Sequence, residues 1–223
     1  MKDRFADRTE AGHLLAQRLA GMALPPPVVV LALPRGGVPV AAEVARALHA
    51  PVDLLLVRKI GVPWQPELAL AAVVDGDEPQ VVVDDEVQRM CGADRAYIDA
   101  QAAHELAEIE RRRHVYLRGR APLGVTGATA VVVDDGIATG TSVRAALKAL
   151  RRRRPGRLVL AVPVAPSDTL AALRAEVDDV VCLAEPEPFR AIGLHYDDFH
   201  QLDDAEVLAA LDAVAPPQRP GER

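Results

Sequence analysis

The chain has 223 residues, half of them apolar but only 3% aromatic, and carries a formal net charge of −6. That length can bury a full core without disulfide or metal staples, and the acidic balance excludes the broad basic field of a general nucleic-acid binder. Cys91 and Cys182 match no metal-ligand spacing, no apolar run approaches membrane-spanning length, and the start Met1-Lys2-Asp3-Arg4-Phe5 has no apolar signal core, so we expect a cytoplasmic chain with no membrane partner.

In chain order, residues 9–22 place Leu14, Leu15, Leu19 and Met22 at helical spacing and stop at Pro25-Pro26-Pro27. Residues 28–33 are an unbroken apolar run closed by Pro34-Arg35-Gly36-Gly37, and residues 38–49 return to a helical pattern. Residues 52–57 read as a second buried strand ending in Arg58-Lys59, with residues 61–67 as a loop. Residues 68–74 and 81–83 read as a hairpin around Asp75-Gly76, although 68–72 fit a short helix equally well. A long charged helix follows over 93–118, then a strand over 128–133 and a helix over 142–153. Strands over 158–164 and 179–183 flank a helix over 168–175. The repeated strand-helix-strand order predicts an α/β fold, a doubly wound and mainly parallel sheet flanked by helices, with ligands beyond the carboxyl ends of the strands. Residues 1–214 read as one domain and the proline-rich stretch 215–223 as a disordered tail.

The segment Val131-Val132-Val133-Asp134-Asp135-Gly136-Ile137-Ala138-Thr139-Gly140-Thr141-Ser142 carries the chemistry. A buried strand delivers two carboxylates to its end, and a small-residue loop opens a helix directly afterwards. Free N–H groups at a helix start attract phosphate, Gly140 leaves room for it, and Thr139, Thr141 and Ser142 add hydroxyl donors. Carboxylates suited to vicinal hydroxyls beside a phosphate loop describe a ribose 5-phosphate site. The segment lacks the lysine of a Walker loop, and a dinucleotide fingerprint has no acidic pair before its glycines. A second acidic pair, Asp84-Asp85 after Val81-Val82-Val83, has no glycine-threonine loop behind it and reads as structural.

With these motifs the chain resembles the type I phosphoribosyltransferases, and most closely the uncharacterised predicted phosphoribosyltransferases of bacteria. Arg58-Lys59-Ile60-Gly61-Val62-Pro63, Pro66-Glu67-Leu68-Ala69 and a closing segment over 189–206 carry the closer likeness. The resemblance implies the type I fold with a small hood contributed by about 1–25 and 185–214. It implies an enzyme of nucleotide metabolism that uses magnesium and phosphoribosyl pyrophosphate to transfer ribose 5-phosphate to a nitrogen of a nucleobase or related heterocycle, releasing pyrophosphate. Asp134, Asp135, Arg58 and Lys59 would then be catalytic. Arg35, Gly36, Gly37, Gly136, Ala138, Thr139, Gly140, Thr141 and Ser142 would bind the donor, and residues 61–67 would form a mobile covering loop with Trp64 as its lid or, equally, as a core residue. Phe189 and Tyr196 are candidates to stack on the base, with core packing an equal alternative for each. Ala138 stands where hypoxanthine-type relatives carry aspartate, which points away from a hypoxanthine or guanine acceptor.

No metal-ligand set is assigned among the protein side chains; the histidines show no zinc spacing. The arginine runs 111–113 and 151–154 fall in or after helices, where the dipole favours cations, and nucleic acid is not an expected partner. Small-molecule substrates are expected, a homodimer is left open, and the alternative reading is a regulatory protein that senses phosphoribosyl pyrophosphate on the same fold without turnover.

Overall fold

The structure, a computed structural model, describes residues 4–76 and 79–214. The expected tail over 215–223 lies outside the described residues.

A five-stranded parallel sheet runs in the order β2-β1-β6-β7-β8, formed by β1 (Val28–Ala32), β2 (Val52–Leu54), β6 (Thr129–Val133), β7 (Arg157–Val164) and β8 (Asp179–Ala184). Its central strands are valine-rich and buried on both faces, as a sheet covered by helices on each side requires. Alternation along each strand separates two cores. Val30, Ala32, Val131, Val133 and Val159 pack with Leu15 and Leu19 of α1 (Arg8–Ala20) and with Val38 and Val44 of α2 (Gly37–Leu48). On the other face Val29, Leu31, Val132, Leu158 and Leu160 pack with Leu147 and Leu150 of α5 (Thr141–Arg152) and Leu170 and Leu173 of α6 (Ser167–Leu173). The doubly wound expectation therefore holds.

A second, antiparallel sheet of three strands stands apart from the first: β3 (Val57–Val62), β4 (Gln65–Val74) and β5 (Gln80–Val83). Here the structure corrects the sequence reading. The apolar run 52–57 holds two strands, because the chain leaves the parallel sheet after Leu54 and re-enters extended structure at Val57 in the small sheet. Residues 61–67 are no open loop; they are the end of β3, a turn at Pro63-Trp64 and the start of β4. The expected hairpin is present as β4–β5, and 68–72 are strand.

The long charged helix is α4 (Arg95–Leu117), capped by Asp94. A helix missed by sequence reasoning, α3 (Asp85–Cys91), precedes it, and Asp84 caps α3 by accepting from the N–H groups of Glu86 and Val87. Asp84 of the second acidic pair thus starts a helix, and both Asp84 and Asp85 also line an open cavity that reaches Thr139 and Thr141.

The chain returns through a short 3-10 turn, Ile192–His195, to α7 (Asp204–Asp212), whose capping box joins Asp203 and Glu206. Residues 195–198 run beside the N-terminal segment: the Phe5 N–H donates to the His195 carbonyl and the Asp197 N–H to the Phe5 carbonyl, both at 2.8 Å. Phe5, Tyr196 and Phe199 form a small aromatic cluster there, next to the carboxyl ends of the parallel strands.

Candidate active site

β6 ends at Val133, and Asp134-Asp135 follow at the carboxyl edge of the sheet. The loop from Gly136 leads into α5, whose N-cap is Gly140 at φ +70°, a left-handed conformation that glycine adopts without strain. The helix hydrogen bonding begins with the Arg144 N–H on the Gly140 carbonyl at 2.8 Å, so the amides of Thr141, Ser142 and Val143 have no partner within the helix, whereas the Ile137 N–H further back donates to the Val164 carbonyl. Asp134, Gly136, Ile137, Ala138, Thr139, Gly140, Thr141, Ser142 and Val143 line one open cavity of about 150 Å³. Every residue the sequence assigned to the phosphate loop lines this cavity together with one carboxylate, that of Asp134.

The two carboxylates are held differently. Asp134 Oδ1 accepts from the Asp135 N–H at 2.8 Å and the residue keeps partial access to solvent. Asp135 is only 7% exposed; its Oδ2 accepts from Arg8 Nε at 2.8 Å, and its carbonyl accepts from the Tyr196 hydroxyl at 2.6 Å. Arg8, itself 8% exposed, also donates to the His200 carbonyl and lies over the Phe199 ring, 4.1 Å from its centroid. Burial raises both carboxyls above the ordinary aspartate value, Asp134 well above it; the neighbouring Asp135 charge adds to the rise at Asp134, while Arg8 opposes it at Asp135.

The loop Pro34-Arg35-Gly36-Gly37 packs directly on this pair. A Cβ at Gly36 would lie 2.0 Å from Asp135 Oδ2, and one at Gly37 would lie 2.7 Å from the Val133 carbonyl oxygen, so close packing on the acidic pair is what these glycines provide. Arg35 points elsewhere, to a cavity shared with α4 and α7.

Arg58 and Lys59 do not lie on one face of the sheet. They sit inside β3 rather than at the end of a parallel strand, and neighbours in a strand face opposite ways. Arg58 Nε donates to Glu105 of α4 at 2.6 Å. Lys59 is exposed and lies opposite Ala72 in the β3–β4 register, hence on the same face as it. A cavity of about 410 Å³ extends from Ala69, Leu70, Ala71 and Ala72 of β4 to Thr139 and Thr141, and neither Arg58 nor Lys59 lines it.

Of the hood candidates, Tyr196 is a core residue, 2% exposed, with its ring against Phe5 and Phe199 and its hydroxyl bound to Asp135; it offers no ring to a base. Phe189 is partly buried and stacks on His195 at 5.7 Å between centroids. Trp64 is 68% exposed at the hairpin tip, which removes the core alternative. Sequence reasoning missed Arg8: an arginine in the first turn of a helix carries no signal of its own, and only the fold brings it to Asp135.

The chain matches the family model "Phosphoribosyl transferase domain" over residues 7–198. The chain belongs to that family. Two Mycobacterium tuberculosis proteins, from strains CDC 1551 and H37Rv and carrying phosphoribosyl transferase as a provisional name, are 49% identical to it over 208 residues. The match covers 93% of this chain and 46% of theirs, so the chain spans about half the length of these curated relatives. The crystal structure of TT1426 from Thermus thermophilus superposes with a TM-score of 0.83 at 44% identity, covering 96% of this chain and all of that one. The family resemblance read from Asp134 to Ser142 and the type I fold are both upheld. Among the described residues no helix is long and apolar enough to cross a membrane.

Proposed function

We propose that this domain transfers ribose 5-phosphate from phosphoribosyl pyrophosphate to a nitrogen of a nucleobase or related heterocycle. The observation that carries the reading is the single cavity in which the Asp134 carboxylate, the start of α5 and the hydroxyls of Thr139, Thr141 and Ser142 meet. A 5-phosphate would sit on the amides of the loop, and the ribose hydroxyls would donate to Asp134. As the bond from the anomeric carbon to the diphosphate oxygen breaks, positive charge grows on the ribose ring; the acceptor nitrogen forms the new bond and its proton leaves to solvent or to a base. A fixed carboxylate beside the ring favours that charge without reorganising. Asp135, tied to Arg8 and enclosed by Gly36, would hold Asp134 through its backbone N–H and supply further negative field.

Magnesium suits this site as an ion carried by the donor. Among the described residues no cluster of three or more His, Cys, Asp or Glu side chains could cage an ion, whereas magnesium is commonly held by one or two carboxylates and substrate phosphates. Asp134 would be its protein contact. When bound, the ion would neutralise charge on the departing diphosphate. Ala138, exposed on the loop with its carbonyl accepting from Thr169 Oγ1 at 3.0 Å, gives an acceptor ring no acidic group, which favours bases other than hypoxanthine or guanine.

A pyrophosphate-release assay with phosphoribosyl pyrophosphate, magnesium and a panel of bases tests the reading. Release with one base, abolished by chelator, is the expected result. Tight donor binding without release for any heterocycle would favour the sensing alternative.

A further inference from the structure

The cavity of about 410 Å³ beside β4 has no part in the reading above. One of its walls is a face of α5, where Thr141, Arg144, Ala145 and Lys148 follow at the three- and four-residue spacing that puts side chains on one side of a helix. Another is the start of α3, with Asp85, Glu86 and Arg89. Both helices contact β4, whose residues Ala69–Ala72 line the space between them.

The charges on these walls do not meet. Among the described residues the side chains of Arg144 and Lys148 make no hydrogen bond or ion pair, and neither do the carboxylates of Asp85 and Glu86. Arg89 donates from Nε to the Asp85 carbonyl at 3.0 Å and leaves both carboxylates unmatched. Two cations and two anions thus line one space without reaching each other, and a ligand with an anionic end and a donor-bearing end would bridge them. A forked guanidinium and an ammonium on successive turns suit the oxygens of a phosphate group. That phosphate cannot be the one expected on the loop 138–142, because Lys148 follows the N-cap Gly140 by eight residues, about 12 Å along the helix axis. Ala69, Ala71, Ala72 and Ala145 place no bulky side chain in the cavity, whose size suits a small organic ligand rather than a bare ion.

We propose that the cavity between α5, β4 and α3 is a second ligand site and takes a nucleoside monophosphate, with its phosphate on Arg144 and Lys148 and its hydroxyl or amino groups donating to Asp85 and Glu86. The inference does not require the transfer reaction. Thr139 and Thr141 line both this cavity and the loop cavity, so a nucleotide here would lie against the residues that receive ribose 5-phosphate, and its occupation would be felt there. The nucleotide is either the product of the proposed transfer or one made elsewhere; both present the same phosphate and the same donors.

The test is calorimetric titration of the full chain with AMP, CMP, GMP and UMP at physiological salt, with the loop 138–142 held by saturating ribose 5-phosphate. At least one nucleotide should bind while ribose 5-phosphate stays bound. Arg144→Ala with Lys148→Ala should weaken it about tenfold or more, the scale of one lost charge-assisted hydrogen bond. Arg18→Ala with Arg152→Ala removes the same charge from exposed helix positions and should leave binding as it was. Asp85→Asn with Glu86→Gln decides between a bridged ligand and mere attraction of an anion: a bridged nucleotide should bind about tenfold more weakly, whereas an anion drawn only by the net field would bind more tightly. Melting temperatures are the folding control for each variant. A best-bound nucleotide that matches the base accepted in the pyrophosphate-release assay identifies the product as occupant; any other identifies a separate ligand. Absence of binding to the saturated chain, displacement by ribose 5-phosphate, an equal loss in the charge-matched control, or tighter binding in Asp85→Asn/Glu86→Gln would overturn the proposal. Failure of ribose 5-phosphate to bind at all would count against the loop 138–142 reading, and the same variants titrated without it would still decide the nucleotide site.

Discussion

Asp134 lines the loop cavity, whereas Asp135 commits one carboxylate oxygen to Arg8, so the same substitution should read differently at the two positions. In Asp134→Asn the rate should fall about a hundredfold or more, close to 3 kcal/mol, with a smaller change in donor affinity, because the charge removed acts mainly on the cationic transition state. Burial lifts the Asp134 carboxyl well above its usual value, so its ionised form weakens the fold at neutral pH, and Asp134→Asn should also raise the melting temperature. Asp135→Asn should lower it, since Arg8 would remain buried without its counter-charge; breaking such a pair costs about 3 kcal/mol or more. Steady-state kinetics beside thermal melts separate the two, and identical profiles for both variants would mean that the carboxylates share one environment after all. The sequence made the acidic pair and the loop to Ser142 legible because strand, carboxylates and glycine-threonine turn are contiguous. Arg8, 127 positions from Asp135, and the burial of Tyr196 were not legible, because both depend on how the ends of the chain meet.

At the level of elements, the small antiparallel sheet is where sequence and fold part company. Its first strand begins after a two-residue break in an apolar run, and no glycine or proline marks that break; alternation was therefore invisible between Val52 and Val57. A buried staple fixes the base of this sheet. Asp75, at the end of β4, accepts from the Leu56 N–H at 2.8 Å and pairs with Arg113 of α4, which also reaches Asp53 of β2 at 3.1 Å. Burial outweighs Arg113 and raises the Asp75 carboxyl from 3.8 to about 6. The folded state therefore holds this proton more tightly than the unfolded chain, and the Asp75 contribution to stability should fall as pH rises from about 4 to about 6. Denaturant melts across that window should show this slope in the wild type and lose it in Asp75→Asn; equal slopes would contradict the assignment. The cap on α3 makes a simpler test. Asp84→Ala should cost about 1 kcal/mol in stability and leave phosphoribosyl pyrophosphate affinity untouched, as expected of an acidic pair that starts a helix. Loss of donor binding in that variant would place the second acidic pair among the ligand residues.

Across the whole molecule, the phosphate loop, the acidic pair and the loop 34–37 gather at the carboxyl ends of β1 and β6, adjacent central strands of a sheet wound in both directions. That position follows from the valine-rich strands and the order of elements, which is why the fold and the meeting of these loops at one edge of the sheet could be read before any contact was known. What composition cannot convey is the sorting of charge: one arginine run sends Arg113 into the staple and Arg111 and Arg112 to an open cavity, a division set by helix phase against two different walls. Where ribose 5-phosphate lies decides the function, and a crystal structure of its complex tests that most directly. Its phosphate should rest within hydrogen-bonding distance of the amides of residues 138–142, with the ribose hydroxyls on Asp134. Phosphate density elsewhere with the loop empty, or a ribose remote from Asp134, would contradict this.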